Sequence, residues 1–400
     1  MPGYNAIYFM ISFSEALNII ELVESTTSKT KVSVDSSLNK VLAEDIVSPI
    51  NMPPFRQSAM DGYAIKLADS NTYELVEESK AGDGKRIDLK VGQAARIFTG
   101  ALVPDDADTV VIQEHVIRSN NTLSITKQPK KLDNVRPIGE QVKKGEVVLK
   151  KGLKINAAAI GFLAGIGISE VLVYSTPIVT IIVTGNELQE SGKQLEDGKI
   201  YESNSFMLSA ALRNLGISGI SILKTKDTFD ETKNIISKAL ENSDVVLISG
   251  GISVGDYDFV QEALKVNGVE ELFYKVNQKP GKPLWFGRKN HQFVFGLPGN
   301  PASALSCFYI YVTPLLQKIS GSNNLHLKRL KATSDSVYKN TTGKTLFLKG
   351  KLIGNKVEIL HGQQSSMLHS FATSNVLVKI PNDTELINKN DSVECIILNT

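Results

Sequence analysis

The groups best suited to a phosphorylated ligand lie in Ser249-Gly250-Gly251-Ile252-Ser253-Val254-Gly255-Asp256-Tyr257-Asp258. An apolar run at 244–248 precedes this segment and a helical pattern at 259–264 follows it. Backbone N–H groups and a helix N-terminus therefore face the end of a strand, a geometry that suits phosphate. The glycines let the backbone approach an anion closely. Asp256 and Asp258 would repel that anion unless a divalent cation lay between them, which points to an oxygen-ligated Mg2+. Capping of the following helix accounts for both aspartates equally well, since acidic side chains are common in a first turn. The segment lacks both the GK[ST] ending of a Walker loop and the GxGxxG spacing of a dinucleotide fingerprint.

Downstream, Lys279-Pro280-Gly281-Lys282-Pro283 sets two ammonium groups on a rigid turn, with Lys275 four residues earlier on an expected strand. Fixed lysines beside an acidic loop suit an anhydride clamp, because they offset charge developing on phosphate while a metal bridges its oxygens. An ordinary exposed turn has the same composition. In Leu297-Pro298-Gly299-Asn300-Pro301-Ala302-Ser303, Asn300 fits an N-cap and Pro301 a first helical position, leaving Ser303 to face an oxyanion.

These loops need a scaffold that brings them together. From Pro177 onward, short apolar strands alternate with helices, the pattern of a mostly parallel, doubly wound sheet covered on both faces. Strands are expected at 178–183, 244–248 and 293–295. Ligands of such sheets sit at the carboxyl ends of the strands, so Thr184-Gly185-Asn186-Glu187, the Ser-Gly-Gly loop and Leu-Pro-Gly-Asn-Pro should share one rim.

The remaining pattern predicts an α/β multidomain chain. Ser12 and Glu15 have capping-box spacing before a helix with the apolar face Ala16, Ile19, Ile20 and Val23. Short alternating strands broken by Gly, Pro and Asp-Gly run from Val41 to about Leu153, and 155–163 reads helical again. We therefore expect an inserted β-rich domain at 46–139 inside a discontinuous N-terminal domain at 10–45 and 140–176. The sheet domain spans 177–322 and a small C-terminal β-barrel 323–400.

Bulk properties narrow the function. Forty-four Lys and Arg against 42 Asp and Glu give a formal charge of +2 without a block of one sign, which offers nucleic acid no electrostatic footprint. No apolar run approaches the roughly 20 residues of a spanning helix, so no membrane partner is expected and the cytoplasm is the default location. Cys307 and Cys395 stand far apart and five scattered histidines form no HxxxH pair, so any metal should be oxygen-ligated. Both cysteines read as small buried apolar residues.

Pro53-Pro54-Phe55-Arg56-Gln57-Ser58-Ala59-Met60-Asp61-Gly62-Tyr63-Ala64 is richer in polar and special residues than a hairpin requires. It resembles the signature of molybdopterin molybdenumtransferases, the MoeA-type molybdenum insertases, which include the insertase domain of gephyrin. Further blocks follow in that family's order: 97–104 leading into 107–114, Thr184-Gly185-Asn186-Glu187-Leu188, Ile200-Tyr201-Glu202-Ser203-Asn204, and the three loops described above. The resemblance spans about Ser12 to Val378.

The resemblance implies a molybdopterin-binding-like central domain and a homodimer whose active sites are shared between subunits. It implies insertion of molybdate into adenylylated molybdopterin, with Mg2+-dependent release of AMP. On that reading Asp227, Asp256 and Asp258 serve the metal and nucleotide phosphate, and Glu187 orients groups or acts as a metal-linked base. Lys275, Lys279, Lys282, Ser253 and Ser303 contact pterin phosphate or molybdate. Ser58, Ser249, Gly250, Gly251, Pro298 and Asn300 complete the substrate surface. Asp61 and Thr99 reach in from the second subunit, although Asp61-Gly62 is also a strong turn signal.

Three departures restrict the transfer. Gln141 replaces an expected acid after Glu140, Lys226-Asp227-Thr228 has one aspartate where two are frequent, and Gln363-Gln364-Ser365-Ser366 lacks the glycine of a Gln-Gly-Ser block. Two other readings share part of the pattern: a molybdopterin adenylyltransferase, which the extra β unit and barrel oppose, and a noncatalytic gephyrin-like dimeric scaffold, which a linker or partner-binding tail would favour.

Overall fold

The computed structural model describes residues 10–25, 27–252 and 259–398. Ser253, Asp256 and Asp258 lie outside them. At the centre is a six-stranded sheet in the order Ile220–Thr225, Val179–Thr184, Val245–Ser249, Gln292–Leu297, Trp285–Lys289, Glu270–Tyr274. The first four pair in parallel; Trp285–Lys289 runs antiparallel to them and Glu270–Tyr274 antiparallel to it, so the doubly wound sheet ends in two antiparallel pairings.

Period-two alternation sends successive side chains to opposite faces, and here both faces are apolar. Ile181, Val183, Val245, Leu247, Phe293 and Phe295 join one core, while Ile182, Val246, Ile248 and Val294 join another. Double burial explains why these strands read as unbroken apolar runs. The helices Asn204–Asn214, Pro301–Cys307 and Thr313–Ile319 cover the first face, and Phe229–Glu241 with Val260–Val266 the second.

The first helix, Phe13–Leu22, has both halves of its capping box: Ser12 Oγ accepts from Glu15 N at 3.2 Å and Glu15 accepts from Ser12 N at 2.7 Å. Its buried face, Phe13, Ala16, Leu17 and Ile20, enters the core of the central sheet. Segments on either side of the β-rich insertion pair with each other, Lys29–Ser33 with Glu170–Tyr174 and Ile46–Val47 with Val147–Leu149. Between them a second six-stranded sheet is built on Gly62–Ile65, flanked by Gln93–Ile97 and Thr109–Ile112.

The C-terminal region is a small closed barrel. Thr345–Ile353 pairs with both Lys356–Ile359 and Val376–Ile380, and Arg329–Ser334 and Ser392–Ile397 complete the ring. The barrel is sewn to the sheet region, because Gln278 and Lys279 pair in parallel with Thr345 and Leu346. The Lys-Pro-Gly-Lys-Pro loop is thereby set against barrel residues.

Candidate functional site

Three cavities run side by side along the carboxyl ends of the parallel strands. The largest, about 640 Å3, is lined by Thr184, Gly185 and Glu187 from the first strand end, Ser249 to Ile252 from the second, and Pro298 to Pro301 from the third. The three loops expected on one rim therefore do share it. Asp227 and the N-terminus of the helix Asn204–Asn214 also line this cavity. Through Pro283, Pro298, Asn300 and Ser366 it continues into a second cavity of about 430 Å3. Through Val183, Gly185, Leu188 and Glu202 it continues into a third of about 360 Å3, beside Lys224, Lys226 and Glu231.

Close backbone packing explains the glycines of the Ser-Gly-Gly loop. Gly250 has φ +98°, and a Cβ there would sit 2.9 Å from both the carbonyl and the hydroxyl oxygen of Thr184. Ser249 is buried and its Oγ accepts from Asn204 Nδ2 at 2.7 Å. The same amide donates to the Gly299 carbonyl at 2.8 Å, so Asn204 bolts two rim loops together. Asn204 Oδ1 and Thr184 Oγ1, both buried, find no partner among the described residues. Buried polar atoms are normally satisfied, and both residues line the large cavity.

The acidic side is sparser. Asp227 Oδ2 accepts from Asn186 N at 3.1 Å, which turns the carboxylate toward the loop carrying Glu187. Glu187 is exposed and lines the same cavity. No group of three or more His, Cys, Asp or Glu side chains able to hold a metal occurs among the described residues.

The second cavity gathers cations. Lys279 and Lys282 from the Lys-Pro-Gly-Lys-Pro loop line it together with Ser303, Lys344 and the barrel residues Gln363 to Ser366. The loop is fixed from beneath. Gln278 is fully buried; its Nε2 donates to the Gly281 carbonyl at 3.2 Å and its Oε1 accepts from the Tyr311 hydroxyl. Gly281, at φ +83°, lies so near Cys307 that a Cβ would fall 2.4 Å from the sulfur. Burial pushes the Cys307 thiol well above its ordinary pKa and raises that of Cys395 to about 11, in keeping with two buried structural thiols.

Other expected residues lie elsewhere. Lys275 follows the strand Glu270–Tyr274 with φ +65° rather than sitting within a strand, and its Nζ lies 4.6 Å from the Tyr274 ring centroid. It does not line either of the two larger cavities. Asn300 is the N-cap of its helix by backbone position, but its side chain makes no capping bond and instead donates to Ser365 Oγ at 3.0 Å. The absent glycine of the Gln-Gln-Ser-Ser loop is offset by Gly362, which supplies the left-handed residue at φ +77°.

Asp61 and Thr99 are brought together on the β-rich unit, not on these cavities. Asp61 Oδ1 accepts from Thr99 N and Thr99 Oγ1, each at 2.7 Å. Those bonds, backbone first, hold the exposed carboxyl below its ordinary pKa, and Arg96 lowers it further. Arg96 stands 4.7 Å from the Phe98 ring centroid and 5.1 Å from that of Tyr63. Ser58 is buried, its hydroxyl donating to the Met60 carbonyl at 2.6 Å, and Arg56 braces the same unit through the carbonyls of Ala107, Pro104 and Asp105.

Sequence reading assigned no role to Asn204, Gln278 or Lys344. Asn204 stood within a recognisable block, whereas a lone Gln in a short strand, or a lone Lys in the bend before one, carries no signal until its neighbours in space are known.

Residues 11–167 match the family described as MoeA N-terminal region (domain I and II), 180–318 the probable molybdopterin binding domain, and 331–398 the MoeA C-terminal region (domain IV). A molybdopterin molybdenumtransferase of Haemophilus influenzae is 34% identical over 395 residues, covering 96% of this chain and 98% of that protein. One from Staphylococcus epidermidis is 33% identical, covering 97% and 95%. The crystal structure of the molybdopterin biosynthesis MoeA protein from Pyrococcus horikosii superposes with TM-score 0.83 at 30% identity, covering 97% of this chain and 99% of that one.

Proposed function

The chain belongs to the molybdopterin molybdenumtransferase family of molybdenum cofactor biosynthesis, and from that premise we propose that its rim of cavities holds adenylylated molybdopterin end to end with molybdate. The observation that carries this reading is the gathering of Lys279, Lys282 and Lys344 at one end of a groove whose other end is framed by strand-end backbone and carboxylates. An oxyanion seeks cations, hydroxyls and backbone donors, and the lysine-lined cavity supplies them with Ser303 and Ser365. The larger cavity takes the nucleotide phosphate against the Ser-Gly-Gly backbone.

Mg2+ is commonly held by one or two carboxylates together with waters and substrate phosphates. Asp227 and Glu187, which line one cavity, fit that requirement. Asp256 and Asp258 are further candidates from sequence. Bound there, the ion would neutralise charge on the anhydride oxygens. The protein's own part is orientation: Asn204 fixes the spacing of two rim loops, Gln278 fixes the lysine loop, and Lys279 and Lys282 offset anionic charge as AMP departs and molybdenum joins the dithiolene sulfurs.

In this reading a second copy of the chain completes each site, with Asp61 and Thr99 entering from its β-rich unit, and the protein works as a homodimer in the cytoplasm. No helix among the described residues is long and apolar enough to cross a membrane. The matches at 11–167 and 331–398 flank the central domain and favour the insertase over a free-standing adenylyltransferase. The test is AMP release from adenylylated molybdopterin by purified protein. It should require both molybdate and Mg2+ and fall steeply in Asp258→Ala and Lys279→Ala. Unchanged turnover in both variants would reject the site.

A further inference from the structure

Arg96 lies in Gln93–Ile97, the strand of the β-rich unit that runs beside Gly62–Ile65, and stands opposite Tyr63 in register. Its Nη1 donates to the Gly62 carbonyl and its Nη2 to Gln113 Oε1, each at 2.8 Å. The Phe98 and Tyr63 ring centroids lie 4.7 and 5.1 Å away, so two acceptors hold the guanidinium at its edge and aromatic rings hold it at its face. A planar arginine suits both tasks, whereas a lysine ammonium has neither the fork nor the flat face. Arg96 has no part in the reaction described so far.

These contacts surround the Asp61–Thr99 pair. Gly62 follows Asp61, Phe98 precedes Thr99, and the N–H of Gln113 donates to the Asp61 carbonyl at 3.2 Å. The corner is tight, since a Cβ at Gly62 would collide with the Val111 carbonyl oxygen. Thr99 occupies Asp61 Oδ1 twice, through its N–H and its hydroxyl. Asp61 Oδ2 accepts from no donor among the described residues, and the residue is exposed. A direct ion pair would have covered that oxygen with a bidentate fork. Arg96 instead spends its N–H groups on Gly62 and Gln113, and its charge still lowers the Asp61 pKa after the two Thr99 bonds.

We propose that Arg96 is a positioning residue for the shared site: by locking Gly62, Phe98 and Gln113 into one corner, it fixes the Asp61–Thr99 pair and aims the remaining Asp61 oxygen at the groove of a second copy. Arg96 touches no substrate. Its part is to remove the freedom of the carboxylate, since a misplacement of about 1 Å costs a reaction about a hundredfold in rate. This inference rests on the reading in which Asp61 and Thr99 enter the neighbouring copy's site.

The experiment measures AMP release from adenylylated molybdopterin, with molybdate and Mg2+, by Arg96→Met, by Arg96→Lys and by mixed dimers isolated through two different tags. kcat should fall at least about tenfold in Arg96→Met and about threefold in Arg96→Lys, which keeps charge and stem but loses the fork, while the KM for the pterin nucleotide changes less than about twofold. A dimer of one Arg96→Met and one Lys279→Ala chain keeps one intact site in two and should recover about half of wild-type turnover. A dimer of Arg96→Met and Asp61→Asn chains should stay low, because both copies then lack a working β-rich unit; recovery there would overturn the inference. A corner that served only the fold would lower Tm without lowering kcat per folded chain, with folding checked by near-ultraviolet circular dichroism, and that result would also overturn it. Wild-type kcat in Arg96→Lys would do the same, and decides the matter if Arg96→Met does not fold. Recovery in an Asp61→Asn and Lys279→Ala dimer, with wild-type kcat in both Arg96 variants, would overturn the role of Arg96 and leave the shared site standing. No recovery in that dimer would overturn the shared site and this inference with it.

Discussion

Asn300 donates its side-chain amide to Ser365 Oγ at 3.0 Å, joining the start of a helix on the central sheet to a loop of the terminal barrel. This single bond crosses the mouth of the cation-lined cavity, which both residues line. Its side chain makes no capping bond, so removing it should scarcely affect the helix. We expect Asn300→Ala to shift Tm by no more than about 3 °C while lowering kcat/KM by about 3- to 10-fold, the worth of one exposed hydrogen bond. Asn300→Asp should be worse, because it adds a carboxylate beside an anion. Equal kinetics for the two variants would argue against an anionic occupant.

Gly281 is the tightest point of the lysine loop. Gly281→Ala combines a left-handed φ of +83° with a Cβ 2.4 Å from Cys307 Sγ. Backbone strain of about 1–2 kcal/mol and overpacking of about 1–3 kcal/mol should both appear in urea unfolding. A Cys307→Ala change in the same chain should relieve the packing part and leave the strain. Additive effects of the two substitutions would show that the sulfur is not the obstacle.

Asp61 has its carboxyl pKa lowered by the Thr99 hydrogen bonds. A lowered folded-state pKa means stabilisation that is fully present above the unfolded value of about 3.9 and lost as pH falls through the folded value. The Asp61–Thr99 tie should therefore persist throughout the neutral range and break only in acid. Carboxyl-carbon NMR titration against Asp61→Asn should find its pKa below that of an ordinary aspartate; a value at or above it would refute the tie. Thr99→Val should raise the Asp61 pKa by removing the hydroxyl donor while keeping the backbone one.

The fold was legible where periodicity is strong. Ile181 and Ile182 enter cores on opposite faces of one strand, so unbroken apolar runs identified the sheet, and the Ser12 and Glu15 spacing identified the first helix. The rim was legible because strand-end loops in such sheets converge by topology. What remained hidden depends on contacts distant in sequence. Gln278 is held by Tyr311, 33 residues away, and Asn300 turns to Ser365 across 65. Lys275 shows how backbone conformation escapes a sequence reading: its left-handed φ ends the strand, and its Nζ lies 4.6 Å from the Tyr274 ring centroid.

Asn204 offers the sharpest test of whether the large cavity is a ligand site. Its amide nitrogen is satisfied twice, by Ser249 and Gly299, while its buried oxygen has no partner among the described residues. Leaving a buried acceptor unmet costs about 1–3 kcal/mol, a cost a bound donor would remove. Wild-type protein should therefore gain thermal stability with AMP in the presence of Mg2+, by an amount that grows with ligand concentration. In Asn204→Leu the oxygen and both donated bonds are gone. That variant should be destabilised through the loss of its ties to Ser249 and Gly299, and AMP should restore less of its Tm than it adds to the wild type. Equal stabilisation of the two proteins would mean that the nucleotide does not engage this amide, and the nucleotide end of the groove would have to be sought beside Lys224 and Lys226 instead.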